Sequence, residues 1–246
     1  MAEASASCHV EVAWGAAGLQ SVLGSSDVVV IVDVLSFSTA VDVAVGCGAC
    51  IYPYAYGDGG AVRQAAAWGA TLAQPRTTGG GQLSLSPQSL AGVEPGARIV
   101  LPSPNGSALS RMTGGLPTLA GCLRNAAAIA RTARSIGGAV SVVAAGERWP
   151  NGGLRPAIED LLGAGAIVER IGGRVSPEAE AMRAGYLALK ERIASVVQES
   201  QSGQELIQAG FPEDVAIALE QDVSGSVPLL QDEAYCDAMA EAGPDG

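Results

Sequence analysis

The run VVVIVDVL, which follows the turn-forming Ser25-Ser26-Asp27, limits what this chain can fold into more than any other stretch. Residues 28–32 are all β-branched and leave no polar face. A strand of that kind is buried on both sides, as in a parallel or mixed sheet under helices. Asp33 then stands where the strand emerges. In α/β proteins ligands collect outside the carboxyl ends of strands. A carboxylate there either accepts hydrogen bonds from a neighbouring loop or holds a hard cation such as Mg2+, which prefers oxygen ligands.

The remaining sequence alternates short strand-like and helical runs. Residues 9–14 (HVEVAW) alternate as a strand, 38–45 read as a helix ended by Gly46 and Gly48, and 51–54 as another strand. A turn at Gly57–Gly60 leads into the helix GAVRQAAAWGA. Residues 74–87 (QPRTTGGGQLSLSP) have no periodicity and read as a mobile, flap-like loop. A strand over 97–102 ends in the tight turn Ser103-Pro104-Asn105-Gly106-Ser107, followed by a short helix to Met112. Residues 117–123 read as a strand and Asn125 as the N-cap of AAAIARTARSI. Later come one long amphipathic helix over 177–199, helices over 202–210 and 212–219, and a late edge strand over 227–230. The pattern predicts a three-layer α/β/α fold. It fits one domain over 1–246, or two tightly packed α/β halves of about 1–115 and 116–246.

The stretch SVVAAGERWPNGGLRPAIEDLLGAGAIV, beginning at Ser141, has the order strand, charged loop, helix N-terminus. It holds Glu147, Arg148, Arg155, Glu159 and Asp160 within fourteen residues. A strand-end Gly-Glu-Arg rarely serves packing, so Glu147 and Arg148 are site candidates. Glu159 and Asp160 have a simpler explanation, since acids in a first turn offset the helix dipole. On a helical wheel the apolar stripe is Ile158, Leu161, Leu162, Gly165 and Val168. Glu159 lies beside it and Asp160 about 160° from its centre, so Glu159 is expected to face the site and Asp160 to cap or pair.

Composition removes several classes of function. A net charge of −11 and a pI near 4.5 argue against a nucleic-acid binder, which needs a basic face. No run reaches the about 18 apolar residues of a membrane span, and the N-terminus lacks the basic and apolar regions of a signal peptide. A cytoplasmic protein is expected, with its five cysteines as free thiols. High apolar content (48%) with few charged residues (16%) suggests a homodimer. There is no P-loop, the dinucleotide fingerprint is incomplete, and the sole histidine, His9, lies in a strand, which disfavours a Ser-His-Asp triad. What remains is carboxylates, amides, hydroxyls and arginines, the groups of metal-assisted phosphoryl chemistry. In that chemistry the Ser103–Ser107 turn is either only a turn or a nest of N–H groups and hydroxyls for phosphate oxygens.

The segments IVDVLSFSTA, SPNGS, LRNA, AAGE…IEDLLGAGAIV and SGQELIQAGFPEDVAIALEQDVSGSVPLL occur in the order found in the 2-phosphosulfolactate phosphatase family, which the chain resembles from about Val10 to Leu230. The resemblance implies an α/β/α, Mg2+-dependent acid phosphatase removing phosphate from 2-phospho-3-sulfolactate, on the route to coenzyme M. It places family motif positions on Asp33, Asn105, Gly106, Asn125, Glu147, Glu159 and Asp160; of these, Asp33 and Glu147 are expected to hold Mg2+, with Glu159 as a third candidate ligand. Ser103, Ser107, Arg148 and Arg76 join Asn105, Gly106 and Asn125 as expected contacts for the small anionic substrate. Two departures bear on substrate more than on reaction class. Ser36 replaces the arginine the family usually carries after Asp-Val-Leu, and the usual Gly-Glu-Arg-Gly-Gly loop reads QPRTTGGGQ here, keeping Arg76 without a glutamate. Arg148, Arg155, Arg124 and Arg76 are the candidates to compensate. A homologue that binds anions without hydrolysing them is the alternative reading.

Overall fold

The computed structural model describes residues 8–55, 59–77 and 81–239. Part of the Gly57–Gly60 turn, part of the glycine run 79–81 and the first residues used for the signal-peptide reading lie outside these.

Ten strands form one mixed sheet: β1 (His9–Trp14), β2 (Val28–Val32), β3 (Cys50–Ala55), β4 (Thr71–Leu72), β5 (Arg98–Ser103), β6 (Thr118–Gly121), β7 (Ala139–Ala144), β10 (Arg174–Val175), β11 (Pro228–Gln231) and β12 (Ala234–Asp237). β8 (Glu147–Arg148) and β9 (Leu154–Arg155) make a separate hairpin. The order is β10-β1-β7-β2-β6-β11-β12-β3-β5-β4, so strands from the first and second halves of the sequence interleave.

β2 shows why the apolar run matters. All five of its residues are buried. Val28, Val30 and Val32 pack with the helices Ala126–Ile136 and Ile158–Ile171 on one face, while Val29 and Ile31 meet Leu19 and Leu109 on the other. The three layers expected from the sequence are present.

The sheet comprises two parallel blocks, β10-β1-β7-β2-β6 and β3-β5-β4, running in opposite senses across the antiparallel β11–β12 hairpin. In a flat sheet β2 and β5 would lie about 24 Å apart, five steps of about 4.8 Å. Instead the N–H of Gly106, just past β5, donates to Asp33, just past β2, at 2.8 Å. The sheet therefore curls, and a twist of roughly 20–25° per step swings the end of β5 toward that of β2. The helix Phe37–Gly46 fills the hollow, with Phe37, Ala40, Val41 and Ala44 packed among Ile51, Ile99, Leu101 and Tyr235.

Several expectations need correcting. β11 is a central strand rather than an edge, because β12, unseen in the sequence, pairs with it and carries the sheet on to β3. The long 177–199 helix is broken into Pro177–Leu189, a 3-10 turn at Lys190–Arg192, and Ile193–Glu199. The short helix Gly15–Val22 was not anticipated. Nor are all five cysteines free: Cys50 and Cys236 form a disulfide with Cα atoms 4.6 Å apart, leaving Cys8, Cys47 and Cys122 as thiols. Tyr235 pairs with Ile51, so the adjoining antiparallel pair is Cys236 with Cys50, at the close spacing of a non-hydrogen-bonded pair. A separation of 186 residues hides that pairing from the sequence. No helix among the described residues is long and apolar enough to cross a membrane.

Candidate active site

The converging ends of β2, β5 and β7 enclose a cavity of about 250 Å³ lined by Asp33, Ser36, Arg76, Ser103, Asn105, Glu147, Ser202 and Glu205 among others. Asp33 is fixed at its rim by two backbone donors, Phe37 N–H at 3.2 Å to Oδ1 and Gly106 N–H at 2.8 Å to Oδ2. Of the Ser103–Ser107 turn, the N–H of Gly106 is spent on the carboxylate of Asp33. A Cβ at position 106 would collide with the Phe37 ring and come within 2.8 Å of Asp33 Oδ2, so only glycine fits. Burial and the charge of Glu159 outweigh the two donated hydrogen bonds and raise the Asp33 pKa to about 6.

Glu147 opens the β8–β9 hairpin and receives Asn105 Nδ2 at 2.9 Å on Oε2. Burial, then the charge of Asp33, pushes its pKa up to about 7. Arg148, next along the hairpin, is exposed and borders a neighbouring cavity with Trp14 and Leu154 instead. Glu147 is paired in register with Arg155, whose Nη2 lies 2.9 Å from Glu205 Oε2.

The helix Ile158–Ile171 is buried on nearly all sides. Gly163 permits contact with β2, where an added Cβ would lie 3.0 Å from Val32 and 2.7 Å from Val34 just beyond the strand, and Gly165 permits contact with the helix Pro177–Leu189. Both acids of its first turn are therefore buried, which a single-stripe wheel does not anticipate. Glu159 lies buried behind the cavity wall beside Ser202, and its Oε2 has no hydrogen-bond partner among the described residues. Burial raises its pKa. Asp160 accepts Val34 N–H at 2.7 Å and Gly146 N–H at 2.8 Å, one on each oxygen, and so ties the loop after β2 to the end of β7. Burial and the charges of Asp33 and Glu159 hold its pKa well above the usual value despite those bonds.

The expected residues thus separate. Asp33, Ser103, Asn105, Glu147 and Arg76 line one cavity, with Glu159 and Asp160 behind it. Ser107 is turned inward, its hydroxyl donating to Leu101 O at 2.8 Å. Asn125 is also outside the cavity, and its side chain does not cap the helix it precedes. It accepts Cys122 N–H at 2.9 Å and donates to Ala120 O at 3.2 Å. Arg124 is committed to Asp42 at 2.9 Å and to Glu220. Sequence reasoning missed Ser202, Glu205 and Asp214, which the C-terminal segment brings to the site. The length of that block in the family resemblance was the available signal.

A divalent cation suits this donor set. Asp33 and Glu147, in the cavity wall, are hard oxygen donors with incomplete protein compensation, and the unpartnered Oε2 of Glu159 is buried behind them. Among the described residues no group of three or more His, Cys, Asp or Glu side chains is placed to hold a metal ion. Asp33 and Glu147, which line the cavity beside each other, match the one or two carboxylates that Mg2+ takes from a protein alongside waters and substrate phosphate.

The chain is 38% identical over 116 residues to the 2-phosphosulfolactate phosphatase of Methanothermobacter thermautotrophicus, covering 46% of this chain and 48% of that protein. It is 25% identical over 138 residues to a probable 2-phosphosulfolactate phosphatase of Pseudothermotoga lettingae, covering 56% and 59%. The chain thus spans about half the length of the curated relatives it matches. The family model described as 2-phosphosulpholactate phosphatase matches residues 18–233, nearly the whole chain, and the chain belongs to that family.

Proposed function

We propose that this protein is a Mg2+-dependent phosphatase hydrolysing the phosphate monoester of a small acidic 2-hydroxy acid, 2-phosphosulfolactate by its family, to sulfolactate and phosphate. One observation carries the reading: Asp33 and Glu147 line one cavity and Glu159 lies behind it, close enough for their charges to repel, with one buried oxygen of Glu159 left without a partner among the described residues. Buried like charges that fold without matching countercharge are costly, and such costs collect at functional sites.

In this reading Asp33 and Glu147, neighbouring carboxylates in the cavity wall, would hold the cation, with Glu159 behind them. A bound divalent cation would supply charge neutralisation at the phosphoryl group, and the chain's own residues would supply the positioning. Gly106 N–H and Phe37 N–H keep the Asp33 carboxylate in one orientation, and Asn105 does the same for Glu147. Asp160 holds the β2 and β7 loops together, so that Asp33 and Glu147 stay at a constant separation. Two routes suit this arrangement, in-line attack by water or attack by Asp33 to form an acyl phosphate. Trapping of a phosphorylated Asp33 distinguishes them.

The test is phosphate release from phosphosulfolactate, phospholactate and an aryl phosphate with Mg2+. Turnover at or below that of Asp33→Ala on all of them sinks the reading. Ser36, standing where the family resemblance expects an arginine, favours the rival in which the pocket only binds anions. That protein would show a melting-temperature rise with phosphate and no release. The reading includes a cytoplasmic homodimer, for which gel filtration at two concentrations tests the oligomeric state.

A further inference from the structure

Arg76 is the only basic residue among the described residues lining the cavity. It lies in a stretch with no helix and only an isolated bridge, so its long side chain has no secondary structure to orient it. The C-terminal segment supplies the orientation. Arg76 Nε lies 3.2 Å from Asp214 Oδ2, and its guanidinium is 5.7 Å from the centre of the Phe211 ring. Asp214 is 1% exposed, and its other oxygen receives the Ser86 hydroxyl at 2.5 Å. The far end of the guanidinium is fixed by Leu85 O at 3.0 Å and Ser36 Oγ at 2.5 Å, both from Nη2. Among the described residues nothing hydrogen-bonds Nη1. Nε and Asp214 Oδ2, although close, are not aligned as a hydrogen bond, so the pair acts as a charge contact.

A substrate carrying an acid group besides its phosphate cannot place both against Asp33 and Glu147. The permanent cation in the cavity is Arg76, and its guanidinium already rests on Ser36, the position where the family resemblance expects an arginine. We propose that Asp214, set by Ser86, is a positioning residue that fixes Arg76 as the binding group for the substrate's second acid group. This rests on the phosphatase reading. Freezing an arginine costs side-chain rotamer entropy, and an anchor that meets this cost before binding acts on affinity rather than on the chemical step.

The experiment compares Asp214→Asn and Ser86→Ala with wild type on phosphosulfolactate, which has further acid groups, and on an aryl phosphate, which has none. For Asp214→Asn the loss of kcat/KM on phosphosulfolactate should exceed that on the aryl phosphate by about tenfold, carried by KM. Ser86→Ala should move the same way by about threefold, and it serves if Asp214→Asn does not fold. Adding Asp214→Asn to Arg76→Ala should cost nothing further, because both remove one unit. Equal losses on the two substrates, a kcat-only effect or additive variants overturn the proposal. If wild type releases phosphate from neither compound, the phosphatase reading falls, and titration with sulfolactate decides the positioning role. Binding weakened about tenfold by Asp214→Asn upholds it; unchanged affinity, or no binding by wild type, overturns it.

Discussion

Two buried aspartates, one just before the helix Phe37–Gly46 and one within it, solve the same problem in opposite ways. Asp42, within the helix, is fully buried and fully compensated. It takes Arg124 Nε at 2.9 Å on one oxygen and the hydroxyls of Ser224 and Ser226, each at 2.7 Å, on the other. Asp33, just before the helix, is buried almost as deeply and receives only two backbone N–H groups. Glu147 and Glu159 are its neighbours, and the nearby cation, Arg76, makes its ion pair with Asp214 instead. Burial alone does not mark a functional carboxylate. What distinguishes the site is charge that the protein itself leaves uncompensated, while a structural carboxylate carries its countercharge with it.

The largest expected effect separates the two corners by activity. Glu159→Gln, which keeps shape and removes one of the crowded charges, should lower kcat/KM by about 10³-fold, worth about 4 kcal/mol. Asp42→Asn, far from the cavity, should leave the activity of the folded fraction within about twofold. Comparable losses in both would erase the distinction.

Next is stability, where the order reverses. Asp42→Ala strands Arg124 and two hydroxyls and should cost about 3–5 kcal/mol in denaturant unfolding. Arg124→Met in that background should recover part of the loss. If Asp42→Ala unfolds like wild type, the compensated corner is not structural.

How far this was legible in the sequence follows the same division. The β2 run announced a doubly covered strand because burial on both faces is written in five consecutive side chains. The elements bearing Asp33, Asn105 and Glu147 were readable for similar reasons, since carboxylates and turns at strand ends are local signals. The β11–β12 hairpin and the Cys50–Cys236 bond were not, because they depend on pairing across the length of the chain. Asn125 illustrates the opposite error. Its sequence position fits an N-cap, yet its amide is drawn back to Cys122 and Ala120, a choice set by the local backbone and invisible in residue type. Ser202 and Asp214 reach the site only because helices near the C-terminus fold over it.

Asp160 lies between the two extremes, buried with one backbone N–H per oxygen and no cation. Asparagine there can accept one of those bonds but must point its NH2 at the other donor. Asp160→Asn should therefore lose about 1–3 kcal/mol of stability and loosen the tie between Val34 and Gly146, visible as faster hydrogen exchange at both amides. Unchanged exchange would mean that the loops are held by something other than this carboxylate.

The smallest effect sharpens the comparison through pH. Glu147 has a folded pKa near 7, against an ordinary value of 4.5, so between those values the folded state binds the proton that the unfolded state has lost. Stability from this group is greatest at acid pH, falls as pH rises through that window, and shows its full deficit above about 7. Asp33, at about 6, adds a slope of the same sign. Glu147→Gln removes the charge whose burial is uncompensated, so the metal-free variant should be more stable than wild type by about 1–2 kcal/mol near pH 8 and nearly equal to it near pH 4. Saturating Mg2+ should flatten the wild-type slope, because a bound cation favours the ionised carboxylate. Melting curves against pH, with chelator and with Mg2+, measure this. Asp42→Asn supplies the contrast, since removing a charge that already has its countercharge should yield no such gain, and a stabilised Asp42→Asn would show that the two corners do not differ in kind.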